Sequence, residues 1–194
     1  LKTNLLIFFI FISESADSTY SLPKPFIQKS VGELNNWSVV GHFVSQKQIL
    51  HFTTPGDLES HGGICNRFRT VAEDWKIETE LLISGDSFIF AFSKYVCPDI
   101  YSLFDGISVS FEADDGVMNV TISGSSLFSS ASSSFDYDKR SVLKLEIIKE
   151  KNFLRVVLSD KKREVVKSNI GDKYDFGYIS LFGESKRACT DNCK

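Results

Sequence analysis

The chain has 194 residues, of which 42% are hydrophobic and 13% aromatic, with 17 Phe. This length and apolar content favour one all-β domain with a single core over two smaller domains. The formal net charge of −3 provides no basic field of the kind that attracts phosphate backbones, so nucleic acid is excluded as an expected partner.

The first 16 residues have the pattern of a signal peptide. Lys2 precedes an apolar run from Leu5 to Ile12, and small residues around Ala16 follow it. The run is too short to cross a bilayer, which takes about 20 helical residues, and a buried strand is its alternative explanation. We predict a signal peptide over residues 1–16, one domain over 17–194, and a location in the lumen of the secretory pathway.

Beyond this leader, short apolar stretches alternate with turn residues, as is typical of β-strands. In several stretches hydrophobic and polar residues alternate, which places one face in the core and the other in solvent. A turn over residues 149–152 makes its two flanking strands neighbours, and the Ser-rich residues 123–134 predict a surface loop. The predicted strands are 37–44, 48–52, 75–83, 88–92, 107–111, 117–122, 142–148, 153–158 and 176–182.

Four Cys are present, and a secretory location permits disulfides among them. Cys189 and Cys193 lie close enough in sequence for a small local loop, whereas Cys65 and Cys97 could join two strands. All three connectivities stay open at this point. Zinc is the weaker alternative, because the sequence has no paired CxxC motif.

Several segments, taken in order, resemble the L-type lectins that cycle between endoplasmic reticulum and Golgi. The most specific is the Trp-led stretch 74–85, which ends in Gly85, and Asp191 and Asn192 fall where that family has a closing acidic motif. The resemblance implies an antiparallel two-sheet sandwich of the concanavalin A-like, legume-lectin jelly-roll class. The other similar segments are 20–26, 37–41, 48–53, 62–66, 103–112 and 174–183.

The resemblance also implies function. In this family a mannose-type glycan binds to loops at one end of the sandwich, and a nearby calcium ion orients the groups that hold the sugar hydroxyls. The expected partner is therefore glycoprotein cargo or a high-mannose glycan, and the expected role is cargo transport. Family members continue into a stalk and one membrane anchor, and we expect at least one further strand beyond Lys194; the oligomeric state stays open.

The resemblance gives candidate site residues as well. The carbohydrate-binding candidates are Asp86, Asp114, Asp115 and Gly183. The candidates for calcium are Glu112, Asp114 and Asp115. Calcium needs six to eight oxygen ligands, and this chain departs from the family's set. Its calcium loop is short and its Asp-Gly pair is shifted. The family has a His in a later loop, but all the His residues of this chain precede that loop: His42, His51 and His61.

We therefore predict a lectin-like cargo-receptor domain with a degenerate sugar site and no resident metal. An active calcium-dependent lectin and a protein-interaction subunit that binds no sugar are the alternatives. Asp114, Asp115 and Gly116 are also a hairpin turn signal, and Trp37 and Trp75 are expected in the core rather than as sugar platforms.

Catalysis is not expected, because the sequence has no nucleophile elbow, zinc-protease motif or phosphate loop. Glu78 and Glu80 share one face of a predicted strand, which keeps a glycosidase as an alternative, although a solvated strand face is the preferred explanation.

Asn36 and Asn119 begin N-glycosylation sequons, and Asn119 must point outward to be modified.

Overall fold

Strands dominate the computed structural model, which describes residues 8–11, 28–30, 32–46, 49–53, 60–83, 87–98, 104–125, 130–138, 141–171 and 174–185. In chain order the strands are β1 (Phe8–Phe11), β2 (Gln28–Ser30), β3 (Glu33–Leu34), β4 (Trp37–Gly41), β5 (Val44–Gln46), β6 (Ile49–His51), β7 (His61–Asn66), β8 (Thr70–Val71), β9 (Trp75–Leu81), β10 (Ser87–Ser93), β11 (Gly106–Asp114), β12 (Val117–Gly124), β13 (Ala131–Asp136), β14 (Leu143–Glu150), β15 (Phe153–Leu158), β16 (Arg163–Asn169) and β17 (Phe176–Glu184).

The strands form two main sheets, and the pairings within them are antiparallel. Sheet A has the order β1-β9-β14-β15-β16. Sheet B has the order β13-β12-β11-β10-β17-β7-β4-β3-β2, with β8 beside β17. A separate hairpin joins β5 and β6. The predicted antiparallel two-sheet sandwich is confirmed.

The core lies between the two sheets because the strands of sheet B alternate in side-chain character. On β10, Phe88, Phe90 and Phe92 are buried and point toward sheet A. The ring of Trp75 on β9 packs against them, with centroids 5.8 Å from Phe90 and 5.2 Å from Phe92. Trp37 is fully buried and Trp75 is partly buried against the core cluster, so both Trp residues pack in the core as predicted.

A tyrosine hydroxyl ties the sheets together at one edge. Tyr137, just after β13, is 5% exposed, and its hydroxyl accepts a hydrogen bond from the backbone N–H of Ile83 at 2.9 Å. The same hydroxyl donates to the carbonyl of Ser141 at 3.2 Å. A polar atom that would cost free energy to bury therefore has both partners.

The predicted turn between β11 and β12 is confirmed as a two-residue hairpin loop. Asp114 pairs with Val117, which leaves Asp115 and Gly116 at the tip. Both tip residues have positive φ, 38° and 82°, which Asp-Gly tolerates well in this type of turn.

Most predicted strands are confirmed, including the neighbouring pair β14 and β15. The predicted loop over residues 123–134 is wrong at both ends, because Ser123 and Gly124 belong to β12 and the last part forms β13, which pairs with β12. Ser132 and Ser134 are exposed while Phe135 is buried, so hydroxyls occupy the solvent face of a real strand. Within the described ranges, five further strands were outside the strand prediction, namely β2, β3, β7, β8 and β16.

The predicted leader contains β1, which pairs antiparallel with β9. This pairing does not test cleavage, and the signal peptide stays a prediction. Among the residues that the structure describes, no helix is long and apolar enough to span a bilayer.

Candidate functional site

Sheet B has a second face, which points away from sheet A and which we call the open face. Residues directly opposite one another on paired strands lie on the same side of a sheet, so the register defines rows of side chains across this face. One of these rows lies at the end of the sheet where β7, β10 and β12 start, and we name it the polar row. Its members are Ser134, Asn119, Glu112, Ser87, Glu184 and His61.

The polar row contains two carboxylates with a serine between them. Ser87 on β10 is opposite both Glu112 on β11 and Glu184 on β17. Its hydroxyl donates to Oε2 of Glu184 at 3.4 Å. Neighbouring strands are about 4.8 Å apart, so the carboxylates stand about 10 Å apart at their backbones, on either side of a hydroxyl.

The next row toward the middle of the sheet supplies an aromatic ring. Phe182 on β17 is partly exposed and is opposite Ile89 on one side and Gly63 on the other. A Cβ on Gly63 would lie 2.6 Å from a ring carbon of Phe182, so the ring lies over the glycine and only a glycine fits beneath it. Ser110 and Thr121 continue this row with hydroxyls.

The opposite half of the open face is covered. Cys65 on β7 and Cys97, after β10, form a disulfide with Cα atoms 5.3 Å apart, which confirms this one of the candidate pairings. Because Cys65 lies on the open face opposite Ser180, the bridge holds the segment after β10 against that half. Ala91 and Ser180 are fully buried beneath it. The more exposed half carries the polar row, in which Glu112 and Asn119 are exposed and Ser87 is buried.

Those sequence-predicted site residues that the structure describes lie at this same end. Glu112 is in the polar row, Asp114 is on the same face one step closer to the hairpin tip, and Asp115 is at the tip; all three are exposed. Gly183 is different, because it is buried in β17 between Phe88 and Gly62 and takes part in the sheet. Its neighbour Glu184, rather than Gly183, reaches the open face.

Asp86, Cys189 and Cys193 fall outside the described residues. Asn119 is exposed on the open face within the polar row, whereas Asn36 lies at the turn between β3 and β4, near the opposite end of sheet B.

The carboxylates of the glycosidase alternative lie on a different surface. Glu78 and Glu80 point outward from sheet A, and each is in an ion pair, with Lys76 at 2.6 Å and with Lys144 at 3.4 Å. This is the solvated strand face that the alternation predicts.

Calcium is the metal that the family resemblance implies. Within the described part of the chain, no group of three or more acidic, His or Cys side chains converges in a way that could hold a metal ion. Asp114 and Asp115 are held apart from Glu184 by the strands between them, since β10 separates β11 from β17. The described residues alone do not fit the six to eight oxygens that calcium requires.

The chemistry of the exposed half suits a hydroxylated ligand. Carboxylates accept hydrogen bonds from hydroxyls, Ser and Thr hydroxyls both donate and accept, and His61 adds a further polar group. The Phe182 ring offers an apolar surface beside them. Sequence reasoning missed Phe182, Glu184 and Ser87, because only the register across three strands shows that they are neighbours.

Fold and open face together define the class of this chain: it is a legume-lectin-like β-sandwich with the L-type lectin fold. The VIP36 exoplasmic/lumenal domain in its Ca²⁺-bound form is similar, with a TM-score of 0.66, 15% identity, and 88% of this chain and 85% of that chain covered. The carbohydrate recognition domain of Emp46p in its metal-free form is similar too, with a TM-score of 0.65, 12% identity, and 88% and 91% covered.

Lectin II from Ulex europaeus has a TM-score of 0.56 and 12% identity, with 94% of this chain and 92% of that chain covered. These similar structures are lectin domains rather than enzymes, in agreement with the non-catalytic prediction. VIP36 has also been crystallised with Ca²⁺ and Man2. No family profile matches the sequence, and no curated protein sequence matches it significantly.

Proposed function

We propose that the chain is a lumenal, lectin-like domain of a glycoprotein cargo receptor in the secretory pathway, and that it recognises cargo glycans on the exposed half of the open face without a resident metal. The observation that carries the proposal is the polar row beside the Phe182 ring. It places two carboxylates, several hydroxyls and one partly exposed aromatic ring on one patch, with Ser87 buried between the two carboxylates.

The calcium-free form of the proposal is supported by the ligand set. The described acidic residues at this end are spread along a row rather than gathered around a point. The high-mannose ligand is carried over from VIP36, which was crystallised with mannose oligosaccharides.

Calorimetric titration of the unglycosylated chain with a high-mannose oligosaccharide, once with calcium and once with chelator, tests this function. We expect heat of binding in both conditions and a clear loss of affinity in Glu184→Gln. The matched control is Glu80→Gln, since Glu80 is an ion-paired carboxylate on the outer face of sheet A. Binding only with calcium would establish the active calcium-dependent lectin instead.

A protein-interaction subunit is the second candidate, and a different surface favours it. Phe68, Val71 and Phe176 are 45%, 75% and 44% exposed at the other end of sheet B. Val71 and Phe176 are opposite one another on β8 and β17, and the guanidinium of Arg69 lies 3.9 Å from the Phe176 ring centre. Exposed apolar groups of this kind are common at protein contacts.

The second candidate has its own test. If no oligosaccharide binds in either condition, co-purification of secretory glycoproteins should be lost in Val71→Glu. It should be retained in Val142→Glu, whose parent residue is 42% exposed and lies just before β14. Equal retention by both variants would exclude this surface as the contact.

A further inference from the structure

Asn119 stands on the open face and within the polar row. It begins the sequon Asn119-Val-Thr121, and both polar members of the sequon point away from the core, because Met118, Val120 and Ile122 are fully buried. Asn119 is exposed at the middle of β12. The requirement that the acceptor amide points outward is therefore met.

The register places this amide next to the proposed binding surface. Asn119 is directly opposite Glu112 on β11, and Glu112 is opposite Ser87 on β10. With strands about 4.8 Å apart, Asn119 is about 5 Å from Glu112 and about 10 Å from Ser87 at the backbone. A sugar attached to its Nδ2 atom begins one strand away from the nearer carboxylate.

The surface around Asn119 also has room for a glycan. On β13 its neighbour is Ser134, and the adjoining row has Ser132, Thr121 and Ser110, all of them small hydroxylated side chains. Such a surface leaves space above the sheet and offers donors and acceptors to sugar hydroxyls. A chain attached here can lie across the strands.

We propose that Asn119 carries an N-linked glycan that lies across the open face and covers the polar row, so that the modified chain presents its candidate ligand site already shielded. The inference rests on the proposed location in the secretory pathway, where N-glycans are attached. The second sequon acts as an internal comparison. Asn36 is at the turn between β3 and β4, near the end of sheet B opposite the polar row, so a glycan there begins far from that row.

The first measurement is the mass of the full chain secreted from a eukaryotic host, before and after enzymatic removal of N-glycans. We expect Asn119→Gln and Thr121→Ala each to lose the mass of one glycan, because either substitution destroys the sequon. Asn36→Gln should retain the Asn119 glycan. An unchanged mass in both sequon variants would overturn the proposal.

The second measurement is hydroxyl-radical footprinting, which reports coverage without depending on sugar binding. Oxidation of Phe182 should rise when the glycan is removed or when Asn119 is replaced, whereas oxidation of Phe153, 41% exposed on sheet A, should not change. Equal oxidation of Phe182 with and without the glycan would contradict the coverage. Failure of the deglycosylated chain to bind oligosaccharide would instead count against the proposed function alone.

Discussion

The two faces of sheet B are made by the same strands and have opposite chemistry. Toward sheet A, β10 presents Phe88, Phe90 and Phe92, whereas toward the open face it presents Ser87 and Ile89. Strands β11 and β12 repeat this division, with large apolar residues inward and Ser, Thr, Asn and Glu outward. The inward face determines that the sandwich forms, and the uncovered half of the outward face is available for a ligand.

The largest expected effect comes from removing one aromatic ring from the inward face. Phe90→Ala should lower the free energy of unfolding by about 3–5 kcal/mol, because the fully buried ring would leave a cavity between the sheets. Ser110→Ala on the open face should change it by no more than about 0.5 kcal/mol. Urea unfolding of both variants measures the difference, and similar costs would show that the open face is packed as tightly as the core.

The next test removes the bridge that covers half of the open face. The paired change Cys65→Ala and Cys97→Ala should lower the free energy of unfolding by about 3–4 kcal/mol, from the chain entropy of a loop with a sequence separation of 32. A reducing agent should destabilise the parent chain strongly and this variant much less. If the reducing agent affects both equally, this bridge does not supply the stability.

A smaller effect is expected from a polar atom on the inward face. Tyr137→Phe leaves the N–H of Ile83 without the hydroxyl that accepts from it, which should cost about 1–3 kcal/mol. Ser132→Ala on the open face removes an exposed hydroxyl that water can replace, so its cost should be smaller. Thermal unfolding of the two variants compares them, and a larger cost for Ser132→Ala would reverse the expected ranking.

The same tyrosine gives the stability an alkaline limit. Burial raises the pKa of Tyr137, the Ile83 hydrogen bond opposes this, and the nearby Asp138 adds to the increase. Above the ordinary tyrosine pKa the unfolded chain ionises while the folded chain resists, so stability should fall as pH rises above about 10. Tyr137→Phe should weaken this fall in urea unfolding at successive alkaline pH values, and an equal fall in this variant would contradict the assignment to Tyr137.

The strands that form the inward face could be predicted from the sequence, because the alternation of apolar and polar residues along one strand is a local signal. It predicted β9, β10, β12 and the β14–β15 hairpin, and the Asp-Gly turn after β11. It failed at β13, where the alternation has Ser133 inward and serines outward, so that the hydrophobic contrast is weak.

The candidate site could be predicted only in part for a different reason. Glu112 and Asp114 were identified from a motif within one segment, but the row that joins Glu112 to Ser87 and Glu184 depends on pairing between distant strands. Phe182 over Gly63 is also a non-local contact, between β17 and β7. No periodicity within a single strand contains this information.

The smallest expected effect compares a buried histidine with the histidine of the polar row. His51, on β6, is 6% exposed, and burial followed by the charge of nearby His42 lowers its pKa. Below the ordinary histidine pKa the unfolded chain therefore binds a proton that the folded chain resists, so stability should fall as pH drops from about 7 through about 6.5 and should stop falling at the lower folded pKa. His51→Gln should flatten the pH dependence of the free energy of unfolding in that window, by less than Tyr137→Phe flattens the alkaline fall. Urea unfolding at successive pH values measures this. His61→Gln, on the exposed polar row, is the matched substitution and should change the free energy of unfolding at neutral pH by no more than about 0.5 kcal/mol. If His61→Gln cost as much as His51→Gln at that pH, the polar row would be a stability element, and its separation from the core face would no longer hold.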